Sequence, residues 1–349
     1  MKKIQVFDIL RILIALLIAF FIGFIIILLV SEEPLYAFKL FLVGPFSSLR
    51  RIGNLVEMTI PLIFTGLAVA VAFEAGQFNI GAEGQFFFGA ALATIMGIIF
   101  KIPAILHVPL ALLGGIVGGG LVGGIPGLLK AKWQVNELVS SLMLNFIFLH
   151  FSLYLVNNHF RDVHTGIMAS WKIEETAWLK QFIPGTRIHV GVFISIIMVI
   201  FTYYFLYRTK WGYALRMTGI NKDFAIYSGI NVASVIIYSQ VISGALAGLG
   251  GAIEILGIHH RFQWQALPGY GFDGMIIAIM AKNNPAFIPI ASLFLAYIRK
   301  GAEVMNMMSD VPAEVVNIIQ AIIIFFVTAE AFLSKYQHKL VVKEVTTNG

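Results

Sequence analysis

Two stretches place polar side chains within otherwise apolar sequence, and both could form hydrogen bonds to a polar solute. The first, residues 74–85, reads EAGQFNIGAEGQ and contains three glycines but no lysine or arginine, although it joins two apolar runs. Irregular backbone at membrane depth is tolerated where it is buried in protein or lines a cavity, and broken helices often build transport sites. We therefore predict a helix break that lines a translocation path, with Asn79, Glu83 and Gln85 as its polar groups. A tight, glycine-capped turn between two helices is the alternative.

The second stretch, residues 134–145, reads QVNELVSSLMLN. Its residues Glu137, Ser141 and Asn145 recur at four-residue spacing and so share one face of a helix. A polar stripe on an apolar span is expected to face the interior of a helix bundle. Hydrogen bonding between helices is the favoured interpretation for the serines, whereas a cavity is favoured for Asn145. Ser141 and Asn145 are kept as candidate pathway residues, and so is Glu254, for which a carboxylate in interfacial water is the alternative.

Several kinds of chemistry lack the residues they need. The chain has no cysteine, which excludes disulfides, thiolate catalysis and cysteine-ligated metals. It contains no HExxH, GxSxG or paired-carboxylate arrangement, so the sequence predicts neither an enzyme nor a metal site. It also lacks the GxxxxGK[ST] loop that cradles nucleotide phosphates. If ATP drives this protein, the ATPase is therefore another chain.

The composition predicts that helices in a membrane carry these residues. Hydrophobic residues make up 59% of the chain and charged residues 12%, against about 25% charged residues in soluble domains. Several apolar runs approach the roughly 20 residues that cross a bilayer as a helix. We predict an all-α, polytopic integral membrane protein of about ten transmembrane helices, some broken or short, forming one transmembrane domain over residues 1–349. The predicted segments are 12–30, 54–73, 85–100, 110–129, 138–156, 189–207, 232–256, 271–281, 287–298 and 315–333.

The loops between these segments predict the topology. A weak excess of lysine and arginine favours cytoplasmic N- and C-termini, which makes residues 157–188 an extracellular loop. The net charge of +6 is spread over the loops and suits an inner-leaflet membrane protein better than a nucleic-acid partner. Residues 208–231 form the most basic loop, and Gly219 and Gly229 flank a short apolar piece in it. This loop predicts a short cytoplasmic helix over residues 222–228.

Several motifs in a fixed order carry a resemblance to a known family. They are FNIGAEGQ at 78–85, NE at 136–137 followed by MLN at 143–145, GIN at 219–221 with SGI at 228–230, and SGALAGLGG at 243–251. With these residues in this order, nearly the whole chain resembles permease subunits of bacterial ABC importers that serve ribose-like sugars and nucleosides. The pairing of NIGAEGQ with MLN favours the nucleoside branch, with purine nucleosides as the expected substrate. A simple-sugar permease is the alternative.

The resemblance also implies partners. Such permeases pair in the cell membrane, often as two different homologous chains, over ATPase subunits that hold ATP and Mg, and an extracellular lipoprotein delivers the substrate. This chain itself would bind no cofactor. The helix at 222–228 would be the coupling helix, with glycines that permit sharp turns at both ends. The residues expected to contact the ATPase are Gly219, Asn221, Lys222, Phe224, Ala225, Gly229 and Ile230.

One position departs from the family pattern, and two other classes of protein remain open. Phe224 and Ala225 stand where the family usually has two alanines, which predicts a contact specific to this protein's ATPase. An ion-coupled secondary transporter would also need many spans, and should show an acid or histidine deep within one of them. A scaffold membrane protein would use the glycine-rich spans and the polar stripe only for packing.

Overall fold

A computed structural model describes residues 17–328 of the chain. The basic N-terminus, the start of the first predicted segment, the end of the last, and the basic tail lie outside the described residues. The predicted cytoplasmic placement of both termini falls there too. Within residues 17–328 the chain is helical, and its only extended pairings are two isolated bridges, Arg161 with Ser170 and Gln181 with His189. The predicted all-α class is confirmed.

Thirteen helices occur in the described part of the chain. Their bounds are α1 Leu17–Val30, α2 Pro34–Val43, α3 Leu49–Glu74, α4 Ala82–Ile99, α5 Ala104–Trp133, α6 Glu137–His159, α7 Gly191–Arg208, α8 Lys210–Ile220, α9 Lys222–Tyr227, α10 Val232–Glu254, α11 Tyr270–Met280, α12 Ile288–Met308 and α13 Ala313–Thr328. Short 3₁₀ turns follow α2 at Gly44–Phe46 and interrupt the long loop after α6 at Glu175–Ala177, and a π-helical turn, Ile255–His259, extends α10.

The chain divides into two compact units. The first comprises residues 17–51 and 297–328 of the described chain. Within it, the Tyr297 hydroxyl donates a hydrogen bond to the Leu42 carbonyl at 2.8 Å, and the Ser31 hydroxyl donates to the Asp310 carboxylate at 2.6 Å. The Ser31 hydrogen bond, with a second from the Glu32 N–H, lowers the pKa of Asp310. These contacts join the two ends of the described chain.

The second unit, Ile52–Ala296, has α10 at its centre, packed mainly against α5 and α4. Glycines face each other along α5 and α10, so closely that a Cβ on Gly119 would lie 2.1 Å from the Gly244 carbonyl oxygen. Small residues let helix backbones approach in this way inside a bilayer. The helices differ in how much of their surface is covered by the rest of the protein. In the most apolar stretch of α3, 89% of the residues are buried, against 22% in α7.

Most predicted segments coincide with helices, with one clear error. Six described helices are long and apolar enough to cross a membrane, and four shorter apolar helices accompany them, so the count of about ten stays a prediction. The short segment predicted at 271–281 is present as α11. The segment predicted at 287–298 was wrong at its end, because α12 continues to Met308. Arg299, Lys300 and Glu303 end the apolar run there, but a helix does not require apolar residues to continue.

The packing of α5 on α10 can be tested with two neighbouring glycines. We expect Gly119→Ala to lower the stability of the purified protein by about 1–3 kcal/mol, because the new methyl group must displace backbone. Gly120→Ala is the matched control, since its Cβ would meet its nearest atoms at 3.6 Å, an ordinary contact. The measurement is the Tm in detergent, and equal Tm values for the two variants would contradict the close helix contact.

Candidate functional site

The break between α3 and α4 is held by a buried cluster of amide and hydroxyl groups. The Asn79 Nδ2 donates to Gln85 Oε1 at 2.9 Å and to Ser243 Oγ at 2.7 Å, and Gln85 Nε2 donates back to Asn79 Oδ1 at 3.1 Å. Ser243 Oγ in turn donates to the Ala68 carbonyl at 2.6 Å. All four residues are buried. The cluster therefore joins α3, α4 and α10 at one point.

Asn145 attaches α6 to the same break. Its Oδ1 accepts the Gly84 N–H at 2.8 Å, and its Nδ2 donates to the Ile80 carbonyl at 3.0 Å. A Cβ on Gly84 would lie 2.8 Å from the Cα of Asn145, so only glycine allows this approach. One turn earlier on α6, the Ser141 hydroxyl donates to Leu138 of its own helix at 3.3 Å. The predicted polar face of α6 thus lies against the predicted helix break.

Glu83 connects the start of α4 to the start of α11. Its carboxylate accepts the N–H of Gly269 at 2.6 Å and the N–H of Gly271. A helix N-terminus presents unpaired N–H groups and a partial positive charge, which a carboxylate satisfies. A Cβ on Gly271 would lie 2.2 Å from the Glu83 nitrogen. The charge of Glu83 therefore faces backbone donors of a neighbouring helix.

The structure brings together five of the six predicted pathway residues and separates the sixth. Asn79, Glu83, Gln85, Ser141 and Asn145 surround the start of α4, where their polar groups bond largely to other parts of the chain. Glu254 lies at the far end of α10, about three turns beyond Ser243. There its Oε1 is 3.5 Å from the Nε2 of His259. Contact of any of these residues with a solute stays a prediction.

Two polar residues of α10 were not predicted as site residues from the sequence. Ser243 opens the SGALAGLGG segment, which the sequence analysis used as a family motif without a role for its serine, and it bridges Asn79 and α3. Gln240 lies one turn earlier and is fully buried, and neither its Nε2 nor its Oε1 has a hydrogen-bond partner among the described residues. A buried, unpartnered amide in a span is a candidate for contact with a polar solute. The sequence signal that could have identified Gln240 is a glutamine within an otherwise apolar run.

The segment predicted to couple to an ATPase consists of two helices, α8 and α9. Each helix start is capped by a side-chain oxygen: Thr209 accepts the Gly212 N–H at 3.0 Å, and Asn221 accepts the Phe224 N–H at 3.0 Å. Asn231 caps α10 in the same way. Such caps satisfy N–H groups that have no partner within the helix. They allow α9 to begin with a single residue between it and the end of α8, and α10 to begin directly after the turn that follows α9.

The exposed surface of α9 includes three large apolar or aromatic side chains beside two charged ones, Lys222 and Asp223. Ala225 is buried, whereas Phe224 is 50% exposed, Tyr227 is 91% exposed, and Ile226 and Lys222 are also exposed. The Ile230 N–H donates to the Ala225 carbonyl at 2.9 Å and closes the turn after the helix. The short helix was predicted at 222–228 and is observed at Lys222–Tyr227. Its contact with an ATPase stays a prediction.

The two glycines of this segment have different roles. Gly229 has a φ of +78° and makes the turn after α9, as predicted. The role expected of Gly219 was wrong, because this residue lies within α8 and has no positive φ. A Cβ on Gly219 would instead lie 2.1 Å from the Glu74 carbonyl oxygen. Gly219 is therefore required for close contact between α8 and the end of α3.

The sequence model of a transporter family, described as the permease component of a branched-chain amino acid transport system, matches residues 51–328. The chain belongs to this permease family. It is thus a non-catalytic, multi-pass permease of the cell membrane, and the family in general works with ATPase and substrate-binding partners. The predicted family, class and location are confirmed.

Curated relatives cover most of the permease. It is 36% identical to the guanosine ABC transporter permease protein NupP of Bacillus subtilis, over 91% of this chain and 92% of the relative. It is 31% identical to the glucose ABC transporter permease protein TsgB13 of Haloferax volcanii, over 90% and 86%. It is also 31% identical to the nucleoside ABC transporter permease protein NupB of Lactococcus lactis, over 91% and 90%.

Replacement of Glu83 tests the link between α4 and α11. We expect Glu83→Ala to destabilise the permease by about 1–3 kcal/mol, because two N–H groups at the start of α11 lose their acceptor. Glu83→Gln keeps one acceptor oxygen and should lie between Glu83→Ala and the parent. The measurement is the Tm in detergent, with Glu175→Ala, at an exposed carboxylate, as the control. A Glu83→Ala variant as stable as this control would contradict the link.

Proposed function

We propose that the permease is the membrane subunit of an ATP-driven importer that carries nucleosides, and purine nucleosides in particular, into the cell. The observation that carries the proposal is the 36% identity, over 91% of the chain, to a permease named for guanosine. A second relative of similar coverage is named for nucleosides. Family membership argues against an ion-coupled secondary transporter.

The chemistry around α4 suits a neutral solute rich in donors and acceptors. The side chains there are mostly amides and hydroxyls, and the carboxylate of Glu83 accepts two backbone N–H groups of the α11 start. A nucleoside needs no opposite charge for recognition, and weak contacts allow its release. We propose Asn79, Gln85, Ser141, Asn145 and Glu254 as pathway residues, with Glu83 at the side of the path and Gln240 as an addition.

A simple sugar is the second candidate solute, since one relative is named for glucose and is 31% identical over 90% of the chain. A sugar is also neutral and rich in hydroxyl groups, so the amides around α4 do not discriminate against it. What distinguishes the two is the aromatic base of the nucleoside. Uptake experiments separate the two possibilities.

The partners follow from the same proposal. Residues 208–231 face the cytoplasm and contact an ATPase chain that binds ATP and Mg, with α9 as the coupling helix. Residues 157–188 face the extracellular side, where a substrate-binding lipoprotein delivers the solute. A second, homologous permease chain completes the membrane part. The exposed aromatic side chains of α9 support this arrangement, because nothing between residues 17 and 328 buries Phe224 or Tyr227.

A mechanical route connects α9 to the cluster at α4. The cap from Asn231 joins the turn after α9 directly to α10, and α10 carries Ser243, which donates to α3 and accepts from Asn79. Closure of the ATPase would displace α9, and α10 would transmit the displacement as one stiff helix. Because the hydrogen bonds of Asn79 span three helices, a small shift of α10 changes the shape of the path there.

The substrate is tested by uptake in a strain that lacks the native permease gene. We expect cells that carry this permease and its co-encoded partners to accumulate labelled guanosine, with excess unlabelled nucleosides suppressing uptake by at least about ten-fold. Excess glucose should leave guanosine uptake unchanged. Labelled glucose accumulation without guanosine accumulation would overturn the nucleoside assignment in favour of the sugar.

The coupling helix is tested by removing its exposed side chains. We expect Phe224→Ala with Tyr227→Ala to lower uptake by about ten-fold, a change of about 1.4 kcal/mol, because the contact with the ATPase loses apolar area. The amount of permease in the membrane should not change, since neither side chain is buried. Tyr204→Ala, at an exposed position of α7, is the control. Normal ATP-dependent uptake by the double variant would rule out α9 as the contact.

A further inference from the structure

The segment 160–190 lies on the end of α10 and is held there by backbone hydrogen bonds. The Ile173 N–H donates to the His260 carbonyl at 3.0 Å, and the Leu179 N–H donates to the Leu256 carbonyl at 2.9 Å. Ile173, Leu179 and Ala177 are buried in the same hydrophobic cluster as residues of α10. The segment therefore covers the end of this helix.

The covered end of α10 has unusual backbone geometry. The helix passes into the π-helical turn Ile255–His259, and His260 then adopts a left-handed conformation with a φ of 52°. Single π-helical turns frequently occur at functional sites. The ring of His189 packs directly on this turn, since a Cβ on Gly257 would lie 2.4 Å from its Cε1. Glycine at 257 thus makes room for the histidine.

Three side chains in this region have buried polar atoms without a partner among the described residues. His189 Nδ1 accepts the Gly191 N–H at 3.1 Å, so a neutral ring carries its own hydrogen on Nε2. That Nε2 has no hydrogen-bond partner in the described chain, and neither have Oε2 of Glu254 and Nδ1 of His260. Glu254 and His260 both lie close enough to affect the ionisation of His189. These three unpaired atoms thus belong to the region where the segment 160–190 meets the end of α10.

We propose that His189, His260 and Glu254 form a buried proton-binding site that fastens the segment 160–190 to the end of α10 and releases it when a proton is taken up. A metal ion is a poorer occupant, because no group of three acidic or histidine side chains between residues 17 and 328 is arranged to hold one. The other titratable groups that face these side chains are His259, 3.5 Å from Glu254, and Lys172, which acts on His260. The His260 ring also stacks on Trp178 at 4.1 Å.

The direction of the pH effect follows from burial. Burial lowers the pKa of His189 from its ordinary 6.5 to about 4, although Glu254 opposes this shift. Burial also lowers the pKa of His260. When the segment is released, both rings return toward the ordinary value, so the released form binds protons that the fastened form does not. The fastened form is therefore fully favoured above pH 6.5 and is lost progressively toward pH 4. Each pH unit in this window changes the equilibrium by up to about ten-fold per histidine.

The absence of cysteine from the chain allows a direct test. We would introduce Ala177→Cys, at a fully buried position of the segment, or Gly166→Cys, at a position of the segment where a Cβ would have no neighbour within 4 Å. The full-length permease in detergent is labelled with a maleimide at about pH 7.5 and about pH 5. The labelling rate of any thiol falls at lower pH because less thiolate is present. Dividing by the labelling rate of the cysteine at position 166 removes this effect. We expect the ratio of the rate at 177 to that at 166 to rise at least ten-fold at the lower pH.

Two variants assign the effect to the site. His189→Gln keeps an N–H donor in place of Nε2 but takes up no proton, so it should abolish most of the rise. His164→Gln replaces an exposed histidine of the same segment and should leave the rise unchanged. If His189→Gln fails to fold, as its Tm and its labelling at 166 would reveal, His260→Gln is measured instead and should reduce the rise. A ratio independent of pH in the parent, or a rise that persists in the folded histidine variants, would overturn the proposal.

Discussion

The rest of the second unit depends on the reciprocal amide pair between Asn79 and Gln85. A helix that stops inside an apolar bundle leaves backbone and side-chain polar groups that water cannot satisfy, and each unsatisfied group is costly. The pair satisfies one amide with another, and Ser243 takes the remaining Asn79 donor at 2.7 Å. Asn145 satisfies the backbone of Gly84 and Ile80. The helix break can therefore exist only where α3, α4, α6 and α10 meet.

Because the helix break is bonded to Ser243 of α10, movement of α10 acts directly on the break. The helix is pressed against α5 through facing glycines, with no side chains between the backbones that could deform. Packed interiors move between discrete arrangements rather than bending continuously. A force applied at Asn231 would therefore reach Ser243 as a displacement of the helix as a whole. The stiffness that the glycines provide is what allows a short helix outside the apolar region to act on a cluster inside it.

Sequence reasoning succeeded where the signal was local and failed where it was long-range. Apolar runs predicted most helices, and a basic loop with Gly229 predicted α9, because both patterns lie within a few residues. The partner of Glu83 could not be predicted, since Gly271 is 188 positions away. The role of Gly219 was missed for the same reason, because the atom that requires a glycine there belongs to Glu74. The length of α12 was missed because charge was taken as the end of the helix.

The ionisable side chains near the two ends of α10 differ in whether their polar atoms have hydrogen-bond partners. Near Ser243 the carboxylate of Glu83 accepts two backbone N–H groups of α11, which leaves mainly amides and hydroxyls for a solute. At the other end, Glu254 and His260 of α10 and its extension, and His189 of the covering segment, keep unpaired polar atoms where the two meet. The Glu83 carboxylate has hydrogen-bond donors within the chain, whereas an unpaired buried nitrogen or oxygen remains available to a proton. The histidines that respond to acid thus lie at one end of α10 and the amide cluster lies around Ser243, whereas Glu254 belongs both to the proposed path and to the proton-binding site.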